Sequence, residues 1–142
     1  MPDTTSPLDR VGPALSSLRR RTSGPGRGDL LRNLLLYVVS DVDGLTVGAL
    51  AQELGVTQPV ASRTVAAAVN DGLVRRVASQ DDGRVALLEL TDAGRAERDR
   101  FAAAQRATFE SVTAGWSGDD RTRFAEYLVR YAEDNRSRTR RP

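Results

Sequence analysis

Residues 45–74 are cut into two short amphipathic pieces by punctuation that leaves little freedom: LTVGALAQEL, then Gly55, then VTQPVASRTVAAAVND, then Gly72. Thr46 is placed to cap the first piece, whose Leu50 and Leu54 share a face. Thr57 is placed to cap the second. Pro59 then falls in the first helical turn, where its missing N–H has no intrahelical partner to lose. Gly72 follows a helix ending near Asp71, at the position where chains leave a helix through left-handed backbone. Val60, Ala61, Thr64, Val65 and Ala68 give the second helix a small inward side suited to close packing on Leu50 and Leu54.

The flanking segments complete an architecture. Residues 73–78 and 84–90 are rich in Val and Leu and flank SQDDG, where Asp-Gly favours a hairpin turn, so two antiparallel strands are predicted. Upstream, Leu8, Val11, Leu15 and Leu18 recur at helical spacing, predicting a helix that ends near Arg19-Arg20-Arg21, bent or delayed by Gly12-Pro13. SGPGRG at 23–28 breaks the chain, Asp29 is placed to cap an apolar helix from 30 to about 40, and DVDG at 41–44 reads as a turn. Downstream, Thr91 is placed to cap a long helix carrying Phe101 and Phe109. Ser117 with Asp120 resembles a capping box, and a last helix spaces Phe124, Tyr127, Leu128 and Tyr131 on one face.

The fold class expected is therefore mostly α with a two-stranded β-wing, a winged helix-turn-helix core flanked by N- and C-terminal helices. Four segments follow. Residues 1–40 hold N-terminal helices contributing to dimerisation and core, and 41–90 the winged helix-turn-helix lobe. Residues 91–136 hold the long helix and a C-terminal dimerisation helix, and 137–142 form an Arg-rich tail expected to be disordered. The outer helices exceed what so small a core needs, and a second copy of the chain is the economical cover for their apolar faces.

Composition removes several classes of chemistry. The 142-residue chain has neither Cys nor His, which excludes a thiolate nucleophile, thiol redox sensing, Ser-His-Asp catalysis and a standard zinc site. No general base with a plausible partner is evident, so an enzyme is not expected; neither is a cofactor or a metal, with Asp41, Asp43 and Glu53 reading as a solvated face. No apolar run approaches the roughly 20 residues of a membrane span, and residues 1–10 lack the basic and apolar regions of a signal peptide, so a cytoplasmic protein with no membrane partner is expected. All 21 basic residues are Arg, which a coding bias explains, although the guanidinium fork does bind phosphate and guanine at two points. Net charge is only +2, with an Arg excess at both ends, whereas residues 57–90 carry four Arg against four acids.

In a helix-turn-helix the second helix enters the DNA major groove by its N-terminal end. Thr57, Gln58, Ser62 and Arg63 lie in the first two turns, with positions 58 and 62 on one face and Arg63 beside them. Taken alone, they equally describe an ordinary polar surface. Arg84, after Asp82-Gly83, would project a guanidinium from the hairpin tip toward a narrow minor groove, or simply into water. Asp82 either holds Arg84 or orients Arg63. Arg75 and Arg76 on the wing are candidates for phosphate.

Together, the LA..LGV helix, the QP..SR helix, the GLV.R strand opening, the DGR tip and the L.LT..G exit of residues 45–94 resemble the core of the MarR (multiple-antibiotic-resistance regulator) family. The resemblance implies a homodimeric, sequence-specific DNA-binding transcriptional regulator reading a pseudo-palindromic operator, a repressor of its own or adjacent genes. It implies DNA-binding roles for Thr57, Gln58, Pro59, Ser62, Arg63, Asp82, Gly83 and Arg84. Release by a small aromatic or anionic effector would involve Arg32, Tyr37 and Trp116, for which core and dimer packing is the competing account. The competing function is a winged-helix protein–protein assembly module that does not bind DNA, a reading supported by the neutral charge of residues 57–90.

Overall fold

The computed structural model describes residues 6–21 and 27–139. A 3-10 turn (Pro7–Arg10) leads into α1 (Val11–Arg21), followed by α2 (Arg27–Asp41), α3 (Val47–Leu54), α4 (Gln58–Asn70), β1 (Val74–Ala78), β2 (Ala86–Leu90), α5 (Asp92–Val112) and α6 (Gly118–Thr139). The chain divides into two units, residues 1–100 and 101–142, with the division falling inside α5. No helix of the described residues is long and apolar enough to cross a membrane.

In the first unit, α2 is the hub. Leu35, Leu36 and Val39 are buried against Leu50 of α3, Val65 and Ala68 of α4, Val74 of β1, and Leu88 and Leu90 of β2. Each fully buried Leu contributes about 1.5–3 kcal/mol relative to exposure, so the docking of α3 and α4 on α2 rests mainly on these side chains. Asp29 does not cap α2, as the sequence suggested. The helix starts two residues earlier, and Asp29 lies in its first turn, where a carboxylate offsets the exposed N–H groups. The proposed break at 23–28 lies outside the described residues as far as residue 26. Gly12 and Pro13 fall in the first turn of α1, and Leu8 lies ahead of it in a 3-10 turn that starts with a capping box between Ser6 and Asp9.

Thr46 Oγ1 accepts from the Ala49 N–H (3.2 Å), and α3 ends at Gly55 in left-handed backbone. Thr57 caps α4 by backbone conformation alone, without a side-chain bond. At the other end of α4, Gly72 has a φ of +73°, which lets the Leu73 N–H turn back to Ala68 O (2.9 Å) and sends the chain directly into β1. The strands pair antiparallel from Val74 opposite Leu90 to Ala78 opposite Ala86. Leu45 adds a bridge when its carbonyl accepts from the Leu88 N–H (2.9 Å), tying the turn before α3 to the wing.

The junction from β2 to α5 is closely packed. Thr91 Oγ1 accepts from the Gly94 N–H (3.0 Å) and donates to Gly72 O (2.6 Å), while the Thr91 N–H donates to Leu73 O (3.0 Å). Gly94 is buried here because α5 passes so near β1 that a Cβ would lie 2.0 Å from Leu73 O.

In the second unit, Phe109 of α5 stacks on Phe124 of α6 at 6.1 Å between ring centres, and Trp116 meets Phe124 edge-on at 5.3 Å. Ser117 Oγ accepts from the Asp120 N–H (3.1 Å) at the start of α6. α6 continues to Thr139, beyond the expected end near 136; the residues after 139 lie outside the described set. Tyr127, Leu128, Val129 and Tyr131 are exposed on α6, as are Leu8, Val11 and Leu15 near the N-terminus.

Candidate nucleic-acid interface

α4 is divided lengthwise. Ala61, Val65 and Ala68 are buried toward the core, whereas Gln58, Pro59, Ser62, Arg63, Ala66, Ala67 and Asn70 are exposed. Small residues on the buried side bring α4 close to α3 and α2. Thr64 turns its hydroxyl back onto Val60 O (2.8 Å), so it offers little to a partner outside. The exposed groups with hydrogen-bonding capacity over the first two turns are Gln58, Ser62 and Arg63. The Arg63 guanidinium makes no ion pair or hydrogen bond among the described residues. Thr57 is also exposed, just ahead of the helix.

The wing loop is two residues longer than expected, because the second strand begins at Ala86 rather than at Arg84. Gly83 does not adopt positive φ, and the strands stop at Ala78 and Ala86, so residues 79–85 form a longer loop. Its closure is made by the Ser79 N–H donating to Val85 O (2.8 Å) and by Ser79 Oγ accepting from the N–H groups of Asp81 (3.3 Å) and Asp82 (3.4 Å). Asp82 takes neither of its expected roles. Its carboxylate accepts from the Arg84 backbone N–H (3.0 Å), holding the loop rather than the guanidinium of Arg84 or of Arg63. Arg84 is exposed and its side chain has no ion-pair partner among the described residues.

Arg75 and Arg76 are adjacent on β1 and so point to opposite faces of the ribbon. Arg75 lies directly opposite Glu89 and is bound to it at two points, Nε (3.0 Å) and Nη2 (2.8 Å) to the same oxygen. Arg76 is exposed without such a partner among the described residues. The lobe's freely available guanidinium groups are thus Arg63, Arg76 and Arg84.

Of the residues proposed for an effector, Arg32 on α2 is ion-paired with Glu97 (3.3 Å) and Asp71 (3.9 Å), Tyr37 is half-buried on α2, and Trp116 packs on Phe124. None of them lines the groove of about 460 Å³ between the end of α2, β2 and the start of α5, whose walls include Val39, Ser40, Leu88, Arg95 and Arg98. Among the described residues no group of three or more acids is placed to hold a metal ion.

The sequence pattern of the MarR family matches residues 34–85, from mid-α2 to the wing tip. A crystal structure of a MarR-family transcriptional regulator from Silicibacter pomeroyi is 31% identical over 73% of this chain and 70% of that one, with a TM-score of 0.55. The chain belongs to the MarR family. It is a transcriptional regulator by family, not an enzyme, and its fold is the expected mostly helical one with a two-stranded wing. A mutant of MepR from S. aureus shares this fold at 15% identity, covering 92% of this chain and 98% of that one with a TM-score of 0.68. FabT from Streptococcus pneumoniae, solved in complex with DNA, does so at 19% identity, covering 92% and 98% with a TM-score of 0.65. No curated protein sequence matches the chain.

Three residues of this MarR-family lobe escaped the sequence reading. Ser79 organises the wing loop, Glu89 neutralises Arg75, and Asp71 ties the end of α4 to Arg32. The Arg75–Glu89 pair had a signal, opposite charges on neighbouring strands, but using it required the register, which depends on the length of the loop. Asp71 and Arg32 had none, since nothing local links residues so far apart in sequence.

Proposed function

We propose that this chain acts as a homodimeric, sequence-specific DNA-binding repressor of its own or adjacent genes, with α4 reading the major groove of a pseudo-palindromic operator and the wing contacting the backbone or minor groove. The observation that carries the reading is the Arg63 guanidinium. It stands on the exposed face of α4 with Gln58 and Ser62 and has no acid partner among the described residues, leaving its fork available for a guanine edge. Arg84 and Arg76 supply further cationic groups on the wing. The exposed apolar side chains of the 3-10 turn, α1 and α6 support a dimer, because association would remove them from water. FabT, a protein of the same fold, was solved with DNA.

An operator fragment selected from random DNA provides the test. Arg63→Ala should weaken operator binding by about 1–3 kcal/mol and relax sequence preference, with little change on random DNA. Equal losses on both would remove Arg63 from base readout. Release by a small aromatic or anionic effector extends the same reading; adding an aromatic carboxylate to this assay should lower operator affinity.

One observation favours the second reading, an assembly module without DNA binding. Residues 57–90 carry no net charge, and Glu89 ties up one of their four Arg. Phosphate contact makes log affinity fall steeply with log salt. A flat salt response of any DNA binding would favour the assembly reading.

A further inference from the structure

The apolar contacts that hold α4 are non-directional, so they set its distance from the core better than its tilt. Its directional ties are at the C-terminal end. There the chain leaves through Gly72 into β1, and the Asp71 carboxylate lies 3.9 Å from Arg32 Nη1. The other amino group of the same guanidinium, Nη2, lies 3.3 Å from Glu97 Oε1 on α5. The second oxygen of Glu97 accepts from Arg100. Arg32 therefore joins three helices: α2, which carries it, the end of α4, and the first turns of α5. Its Nε is buried with no hydrogen-bond partner among the described residues, a cost that the two carboxylates offset. The hydrogen bond from Arg100 holds the Glu97 carboxyl below the usual carboxylate range against the opposing effect of burial, and the charge of Arg32 adds to this, so Glu97 meets Arg32 as a carboxylate at neutral pH.

We infer that Arg32 is a positioning residue for DNA reading, its two-point bridge between Asp71 and Glu97 fixing the tilt of α4 and so the placement of Gln58, Ser62 and Arg63 at the far end. This rests on the DNA-binding reading above. α4 has 13 residues. At 1.5 Å per residue such a helix is about 20 Å long, so a tilt of about 3° at one end moves the other by about 1 Å, enough to spoil a two-point contact with a base. Lys in place of Arg would keep the charge and lose the fork, reaching one carboxylate at a time.

The test uses the full-length chain and its selected operator. Arg32→Lys, Arg32→Gln, Asp71→Asn and the double variant Arg32→Gln/Asp71→Asn are compared for affinity on operator and on random DNA, with urea unfolding alongside. The expected result is a roughly 5- to 30-fold fall in the operator-to-random ratio for Arg32→Lys and Arg32→Gln, on the scale of measured coupling between linked sites. Random-DNA affinity should hold, and the double variant should lose no more than the worse single one. Arg32→Lys serves if Arg32→Gln fails to fold. An unchanged ratio in the folded variants, with or without lower stability, overturns the inference, as do additive losses. Absence of sequence-selective binding by the wild type would instead overturn the DNA-binding reading itself.

Discussion

At the scale of single residues, position and chemistry separate quickly. Gly94 was legible only as part of a helix-start pattern, yet it is the least replaceable small residue described, because the Leu73 carbonyl occupies the space a side chain would need. Gly94→Ala should destabilise the fold by about 1–3 kcal/mol, the usual cost of overpacking, visible as a lower urea midpoint with unchanged slope. A midpoint equal to wild type would mean that α5 moves away from β1 freely. Arg75 and Arg63 make the converse point. Both were candidates for DNA contact by residue type, and the structure separates them by partner, since Arg75 is held by Glu89 and Arg63 is not.

At the scale of elements, the wing is the most informative. Its strands were expected from Val- and Leu-rich runs, and they formed, with Asp82-Gly83 in a turn closed by the Val85 N–H donating to Asp82 O (2.9 Å). Ser79 captured two further N–H groups of the loop, and the second strand began at Ala86, two residues later than expected. The register that resulted set Arg75 opposite Glu89. Exposed pairs of this kind contribute about 0–1 kcal/mol to stability. Glu89→Gln should therefore leave unfolding nearly unchanged while freeing a guanidinium, steepening the salt dependence of DNA binding by up to about 0.9 in log–log slope for one added phosphate contact. An unaltered slope would show that the Arg75 face of the ribbon does not meet the duplex.

At the scale of the whole molecule, the apolar surfaces are unevenly covered. The first unit has a closed core built on α2, whereas Tyr127, Leu128, Val129 and Tyr131 of α6 and Leu8, Val11 and Leu15 at the N-terminus remain exposed. If a second copy covers them, Leu128→Asp should shift the protein toward monomer in sedimentation equilibrium and weaken operator binding, since two linked half-sites bind far more tightly than one. A wild-type protein that is monomeric at micromolar concentration would refute the dimer.

The sequence by itself determined the order of the helices and most of their ends, the starts of α1 and α2 and the end of α6 excepted. Caps, Pro at a first turn and Gly at a helix exit act within four or five residues, so Thr46, Gly55, Pro59, Gly72 and Thr91 did their work locally. It also determined which face of α4 would be buried, through a periodicity that any packing partner would use. Only the tertiary structure decided which charges are free. Glu89 takes Arg75, and Arg32 reaches Glu97, 65 residues away, and Asp71 at the end of α4. Ion pairing depends on distance in space, and for residues on different elements that distance is fixed only when the helices and the ribbon have docked on a common core.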